Sequence, residues 1–358
     1  MLIYLYLSIQ MPDSICEICF EHIDATDTNH LPECLNRQLK YIQQYSSSQE
    51  FYLCETCNIS ISLNQINEHE QLCQSYKCDK CNTVMTLDKI NKHKSKCNLI
   101  ILKEKYKDDT GMNNMTSKQI KALDYCTKKS RIFSKSVYGN LLVKIIELGF
   151  TENDLQQTLD YIKNTTEITI NFNMESMAKP LSEDYKYKSR YEVHNLASFH
   201  GRDQWEDILF NRIYDHTALP GERVKYGALN ITNYKYGGAK VYGDSFMVLK
   251  NHIKQRTTCT LGDSSKQEIH LCMPNNFCNI LLYLDNASVT DIMNIAIGRT
   301  KTAAPTLEYI ECQIHGDVIF ARDVEMLVIN SRHKNDPTIL QYLKQFKRNN
   351  GVNYVWNE

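Results

Sequence analysis

Two consecutive stretches of the chain repeat one another at a spacing of 24 residues. They read "YLCETCNISISLNQINEHEQLCQ" (52–74) and "YKCDKCNTVMTLDKINKHKSKCN" (76–98). Each carries the pattern C-x2-C-x11-H-x3-C, through Cys54, Cys57, His69, Cys73 and through Cys78, Cys81, His93, Cys97. A CxxC turn presents two thiolates from one knuckle. HxxxC sets an imidazole and a thiolate one helical turn apart, so four ligands can close a tetrahedron around zinc. The residues between agree: Leu63 and Ile66 match Leu87 and Ile90, and Ser62 and Thr86 stand where helix N-caps belong. Two small zinc-binding units, each a knuckle followed by a short helix, are therefore expected over 51–98.

Upstream, "CEICFEHIDATDTNHLPEC" supplies a third set, Cys16, Cys19, His30 and Cys34, spaced C-x2-C-x10-H-x3-C. This assigns all nine of the cysteines before residue 98, out of 14 in the chain. The pairing of each CxxC with an HxxxC is what metal binding requires and disulfide pairing does not. A reducing compartment, cytoplasmic or nuclear, follows as the expectation. The apolar "MLIYLYLSIQ" lacks a basic start and a small-residue cleavage site, and Met11 reads as an alternative start. No apolar run reaches membrane-spanning length.

The first finger, with its "HLPECL" run at residues 30–35, resembles the ubiquitin-binding UBZ finger, although Pro32 departs from a regular helix. The resemblance implies a protein partner, with ubiquitin as the candidate, for the finger at 11–50. Charge argues against a DNA-reading array. The formal net charge is -1, and the second finger's helix carries Glu68 and Glu70 while only the third is basic, with Lys89, Lys92, Lys94 and Lys96. Sequence-specific DNA binding is not expected.

Residues 99–135 read as a polar, Lys-rich linker broken at "KDDTGMNN", with a helix beginning at "TSKQIKALDYCTKK" and capped by Thr116 or Ser117. "NLLVKIIELGFTENDLQQTLDYI" (140–162) reads as two amphipathic helices around a Gly-Phe turn, the second capped by Thr151. They form a helical lead-in to the region 136–358. There, strand-like runs ("ITINFN", "RVKYGALNI", "SFMVLK", "TTCTLGD", "YIECQIHG", "DVIF") alternate with helices such as "RDQWEDILFNRIYD" and "ASVTDIMNIAIG". The whole is an α+β chain: three C2HC zinc fingers (11–50 and a tandem at 51–98), a linker, and a C-terminal mixed sheet domain.

In "YIECQIHG" the side chains alternate. Ile310, Cys312 and Ile314 read as the core face, and Tyr309, Glu311, Gln313 and His315 as a polar row. Such a row is either a solvated sheet face or the floor of a polar cleft, and the second reading makes Glu311, Gln313 and His315 the candidate catalytic residues. Cys259, Cys272, Cys278 and Cys312 read as buried, inert thiols without metal spacing. Neither GxGxxG after a strand nor GxxxxGK[ST] occurs, which argues against a Rossmann oxidoreductase and a P-loop NTPase.

Four collinear blocks, at 202–215, 221–231, 241–264 and 308–328, resemble the family catalogued as domain of unknown function 3626, over roughly residues 140–350. Where that family continues the "ITINFN" strand into a His-Pro-Asp-Arg run, this chain has "NFNMESMAK", and "VHNLAS" stands in place of a Gly-Ser-Asn turn. More distantly, the early Tyr187-Lys188-Ser189 segment and the late strand with Glu308 and Glu311 are similar to mono-ADP-ribosyltransferases. That resemblance implies NAD as co-substrate, with Glu311 stabilising the oxocarbenium-like transition state. It also implies contacts to NAD from Tyr187, Lys188, Ser189, Arg223 and Tyr226, with Lys188 or Arg223 on the phosphates. Glu308 has the opposite strand parity to Glu311 and is not expected to pair with it. The alternative is a non-catalytic ubiquitin- or protein-binding adaptor.

Overall fold

The computed structural model describes residues 51–53, 60–62, 75–77 and 84–86, the single positions 65, 67, 69 and 93, and 104–358 apart from 196–200, 266–269 and 305–308. Contacts divide the chain into two units at Lys92/His93.

In the first unit the 24-residue repeat is a repeat of structure. Strand β1 (Phe51–Leu53) pairs antiparallel with β2 (Ser60–Ser62), joining Phe51 to Ser62 and Leu53 to Ser60. Strand β3 (Ser75–Lys77) pairs with β4 (Val84–Thr86), joining Ser75 to Thr86 and Lys77 to Val84. Each partner in the second hairpin is the first hairpin's partner plus 24. The Ser62 hydroxyl donates to Gln65 Oε1 at 2.9 Å, a contact between Ser62 and the residue three positions on, as at a helix start. His69 and His93 are helical and half-buried. The proposed ligands Cys16, Cys19, His30, Cys34, Cys54, Cys57, Cys73, Cys78, Cys81 and Cys97 lie outside the described residues.

The second unit is built on one sheet of eight strands: β5 (Glu167–Phe172), β7 (Lys225–Asn230), β8 (Ser245–Leu249), β9 (Thr257–Leu261), β10 (Leu271–Cys272), β11 (Ile310–Ile314), β13 (Val324–Asn330) and β14 (Asn353–Asn357). Their spatial order is β10-β9-β11-β7-β5-β8-β13-β14. All neighbours are antiparallel except β13 and β14, which are parallel. A parallel neighbour needs a crossover, and a helix over Pro337–Asn350 supplies it. That helix is bounded by an Asp336 N-cap with Pro337 in its first turn and by Gly351 at φ 71°. A separate pair joins β6 (Lys186–Tyr187) to β12 (Val318–Ile319).

The helices are α1 (Ser117–Glu147), α2 (Glu152–Asn164), α3 (Met174–Glu183), α4 (Arg190–His194), α5 (Arg202–Leu209), α6 (Cys278–Tyr283), α7 (Asn286–Ala296), α8 (Phe320–Asp323) and α9 (Pro337–Asn350). Thr116 caps α1 and Thr151 caps α2, each in a reciprocal capping box. The segment 117–135, expected within a linker, is the first half of α1 and belongs to the folded unit. Ser130 and Ser134 both donate to the Asn276 carbonyl, and Lys144 caps the Leu282 and Leu284 carbonyls at the end of α6. Such bonds hold a long helix against its domain, whereas a linker would leave those groups to water. Helix α5 is shorter than the 202–215 pattern, ending at Leu209 with Asn211 and Arg212 at positive φ.

One face of the sheet is the apolar core. Ile168, Ile170, Leu229, Met247, Leu249, Cys259, Cys312, Ile314, Leu327 and Ile329 share one buried cluster with side chains of α1, α2, α6, α7 and α9. The opposite face carries Thr169, Asn171, Tyr226, Thr258, Thr260, Glu311 and Gln313, as the two-residue period of a strand requires. Strand β11 lies between β9 and β7 and is buried along its whole length. Its polar row is therefore no solvated face. No described helix is long and apolar enough to cross a membrane.

Candidate active site

A cleft of about 500 Å³ opens on the polar face of the sheet, and Glu311 lies on its floor. Tyr187, Ser189 and Tyr226 line the same cleft, so four of the eight residues expected at the site come together. Tyr309, from the polar row, also lines it, as do Asn171, Tyr191, Arg202, Trp205, Tyr242 and Asp263, which the sequence reading did not place at the site.

Glu311 is 6% exposed. Oε1 accepts from the Gln313 amide at 2.9 Å and from the Ser264 backbone N–H at 3.3 Å. The Ser264 hydroxyl also favours the ionised carboxylate. Burial, with the Asp263 charge, pushes the Glu311 carboxyl above the usual carboxylate range against the hydrogen bonds from Ser264 and Gln313. Gln313 is fully buried beside it. It also donates to Thr260 Oγ1 and accepts from Thr258 Oγ1, each at 2.9 Å, so its amide cannot rotate freely. Gln313 thus fixes Glu311 from below without lining the cleft.

His315, two residues on, is sealed from the cleft. Its ring packs edge-on to Phe210, 5.2 Å between centroids, and Nδ1 is 2.9 Å from the Tyr214 hydroxyl. Burial and the nearby Arg256 charge push its pKa down to about 3, so it stays a neutral imidazole in the interior. The alternation that placed Glu311, Gln313 and His315 on one face is observed. The cover over His315 comes from the chain after α5, which the strand pattern does not reveal.

The two arginines of this region differ in role. Arg223, 1% exposed, is a brace. It donates to Glu206 at 2.9 Å, to the Tyr214 carbonyl at 2.8 Å and to the Asp215 carbonyl at 3.1 Å, and it stands outside the cleft lining. Glu206 in turn accepts from the Tyr226 hydroxyl at 3.1 Å, so this buried pair fixes α5 against β7. Arg202, at the start of α5, faces the cleft. Its guanidinium sits 4.6 Å from the Tyr226 ring centroid, and its buried Nε has no hydrogen-bond partner among the described residues. Tyr226, Glu206, Tyr191 and Glu311 favour its charged form over the cost of burial. Lys188 is bonded to Asp184 at 2.5 Å and is not in the lining. The Ser189 hydroxyl caps α4 in a box with Glu192, which pairs with Lys186 at 2.9 Å and Lys225 at 3.1 Å. That anchoring sets the position of Tyr187 and Tyr191 on the cleft wall. Glu308 lies outside the described residues.

The opposite wall is held by Asn171. Its amide donates to the Tyr236 and Gly243 carbonyls and its oxygen accepts from Ala239, pinning the turn that carries Tyr242. Gly243, at φ 147°, lies so close to β5 that a Cβ would stand 2.0 Å from the Phe172 carbonyl oxygen. Asn173 and Ser176, at the N-terminal end of α3, complete that side.

The cleft therefore joins two arginines, Arg190 and Arg202, two carboxylates and a ring of aromatic side chains on a largely pre-formed floor. Such a lining can receive a polar ligand that carries aromatic and anionic groups. Among the described residues no group of three or more His, Cys, Asp or Glu is arranged to hold a metal ion. No curated protein matches the chain. Residues 169–307 match a family model described as "Protein of unknown function (DUF3626)", which spans the cleft lining except for Tyr309 and Glu311, just beyond its end.

Proposed function

We propose that the C-terminal unit is an NAD-consuming transferase, a mono-ADP-ribosyltransferase acting on a protein, and that the N-terminal segment delivers the target through three structural zinc sites. The observation that carries the reading is the state of Glu311. It is buried on the floor of an aromatic cleft that it lines, with its carboxylate fixed by Gln313 and Ser264. A carboxylate so held can accept a ribose hydroxyl and stabilise positive charge growing on the adjacent anomeric carbon. It does so without reorganising, and its effect is larger in the transition state than in the ground state.

NAD supplies the remaining fit. Arg202 would meet the diphosphate, with Arg190 and the N-terminal end of α3 on the same cleft. Tyr187, Trp205 and Tyr226 offer faces for the planar rings. When NAD is bound, the bond from the ribose carbon to the ring nitrogen breaks and nicotinamide leaves with the electron pair. The chain's residues hold the ribose, exclude water and offset the charge.

In the N-terminal segment the hairpins repeat in register. In the sequence, Cys54–Cys57 falls between β1 and β2, Cys78–Cys81 falls between β3 and β4, and His69 and His93 follow in helical positions. That order suits zinc knuckles, and the first finger's likeness to UBZ makes ubiquitin the candidate partner. A binding-only adaptor is the second reading, favoured by "NFNMES", which brings no basic residue to its side of the cleft.

The test is to incubate the full-length protein with adenylate-labelled NAD, a cell lysate and ubiquitin, beside Glu311→Gln. Label on a protein band, accompanied by nicotinamide release and lost in the variant, supports the transferase. No release and no label with wild-type protein would remove it and leave the adaptor.

A further inference from the structure

Helix α1 keeps one apolar strip out of the core. Leu141 and Ile145 enter the cluster on the sheet's apolar face, while Ile132, Val143 and Ile146 stand 66%, 56% and 57% exposed. Gly139 lies midway between Ile132 and Ile146, seven residues from each. Seven residues are close to two helical turns, so the three lie along one line, roughly 21 Å from end to end. Val143, about one turn past Gly139, widens that line into a strip.

Gly139 has no evident use within the unit. It is exposed inside a 31-residue helix, and glycine is a poor helix former. A Cβ built there would meet nothing within 4 Å, so no neighbour requires its missing side chain. What a glycine at that place offers is the close approach of a second backbone.

Charge divides at the same point. Before Gly139 the exposed charged residues along the strip are Lys128, Arg131 and Lys135. After it they are Glu147 and, at the start of α2, Glu152. Lys128 pairs with Asp124 at 2.6 Å within its own helix, and Lys144 is turned to the α6 carbonyls. Arg131, Lys135 and Glu147 make no side-chain ion pair among the described residues. The strip is therefore apolar along its middle, basic at one end and acidic at the other.

We propose that this strip binds a second copy of the chain, with the two α1 helices crossing antiparallel at Gly139. A two-fold axis at Gly139 brings Ile132 of each copy to Ile146 of the other, because the two lie at equal distances on either side of it. Apolar pairing alone would allow either direction, and charge selects this one. The basic end of each strip faces the acidic end of the other, whereas a parallel pair sets like charges side by side. A single helix pair is at the small end of specific interfaces, so association belongs in the micromolar range. No residue of α1 lines the cleft, so the inference is independent of the reaction proposed above.

The test is analytical ultracentrifugation of the full-length protein from low to high micromolar concentration. Gly139→Leu and the double variant Ile132→Glu with Ile146→Glu are run beside wild type, with urea midpoints for all three. Wild type is predicted to pass from monomer towards dimer, and both variants to associate about tenfold or more weakly. Gly139→Leu should at the same time raise the urea midpoint, because leucine is the better helix former, which separates a lost contact from a lost fold. Carbodiimide cross-linking of mixed light and heavy isotope-labelled protein should join Lys128 or Lys135 of one copy to Glu147 of the other. Wild type that stays monomeric would overturn the proposal and leave the strip to the N-terminal unit or to another protein. Association unchanged in either variant, a lowered urea midpoint in Gly139→Leu, or no mixed-isotope link between those two ends would overturn it as well.

Discussion

Gln313 Nε2 lies 2.9 Å from Glu311 Oε1, two residues away on the same strand, and the Gln313 amide is itself held by Thr258 and Thr260. The pair forms a fixed unit in which a buried amide sets the direction of a carboxylate. Replacing Gln313 with methionine keeps the volume and removes the donor. A hydrogen bond to a charged group is worth about 1.5–3 kcal/mol, so nicotinamide release is predicted to fall about 10- to 100-fold. Steady-state rates at saturating NAD check this, and an unchanged kcat would mean that Glu311 is oriented by something else.

Arg202 and Arg223 separate binding from folding. Arg223→Met leaves Glu206 buried without its ion-pair partner, which is expected to cost about 3–5 kcal/mol of stability. Arg202→Ala removes a cation that lines the cleft and should weaken NAD binding while shifting the urea midpoint little. Urea denaturation of both variants, paired with NAD titration, distinguishes the two roles. The opposite pattern would reverse them.

His315 predicts a pH dependence of stability. Its folded pKa is pushed down from the ordinary 6.5 to about 3 by burial and the Arg256 charge. Between those values the unfolded chain binds a proton that the folded chain refuses. The contribution is whole above 6.5 and is lost as pH falls towards the folded value, by at most about 1.4 kcal/mol per pH unit. His315→Gln should flatten this part of the profile when urea midpoints are compared across the window. An unchanged slope would place the acid sensitivity in other groups.

The N-terminal repeat predicts metal content. Native mass spectrometry of the full-length protein should find three zinc ions, and Cys54→Ser should remove one of them. A mass with no bound metal, or with fewer than three ions in the unmutated chain, would contradict the ligand sets drawn from the sequence.

Much of the sheet was legible because strand alternation is a local property. Ile310, Cys312 and Ile314 enter the core and Glu311 faces away from it, as the two-residue period requires. Helix caps at Thr116 and Thr151 were legible for the same reason. The thiols read as inert are buried and free, with Cys259 and Cys312 facing each other at 3.6 Å between sulfurs. What the sequence hid depends on long-range contacts. The strand text gives no means to tell that residues past α5 cover His315, or that Arg223 turns to Glu206 while Arg202 turns to the cleft. A clue for Arg202 was present, in its place one helical turn from Glu206 and next to Trp205 at the start of an amphipathic helix. Asp263 stood inside a block already singled out, "TLGDS", but nothing local joins that loop to β11.

The central claim is that the cleft between Arg202 and Glu311 is an NAD site. Calorimetric titration of full-length Glu311→Gln with NAD tests it directly, because that variant should bind without turning over. One NAD bound per chain is predicted, with binding markedly weakened in the double variant that adds Arg202→Ala. The absence of any binding heat across the titration, or binding indifferent to Arg202, would contradict it.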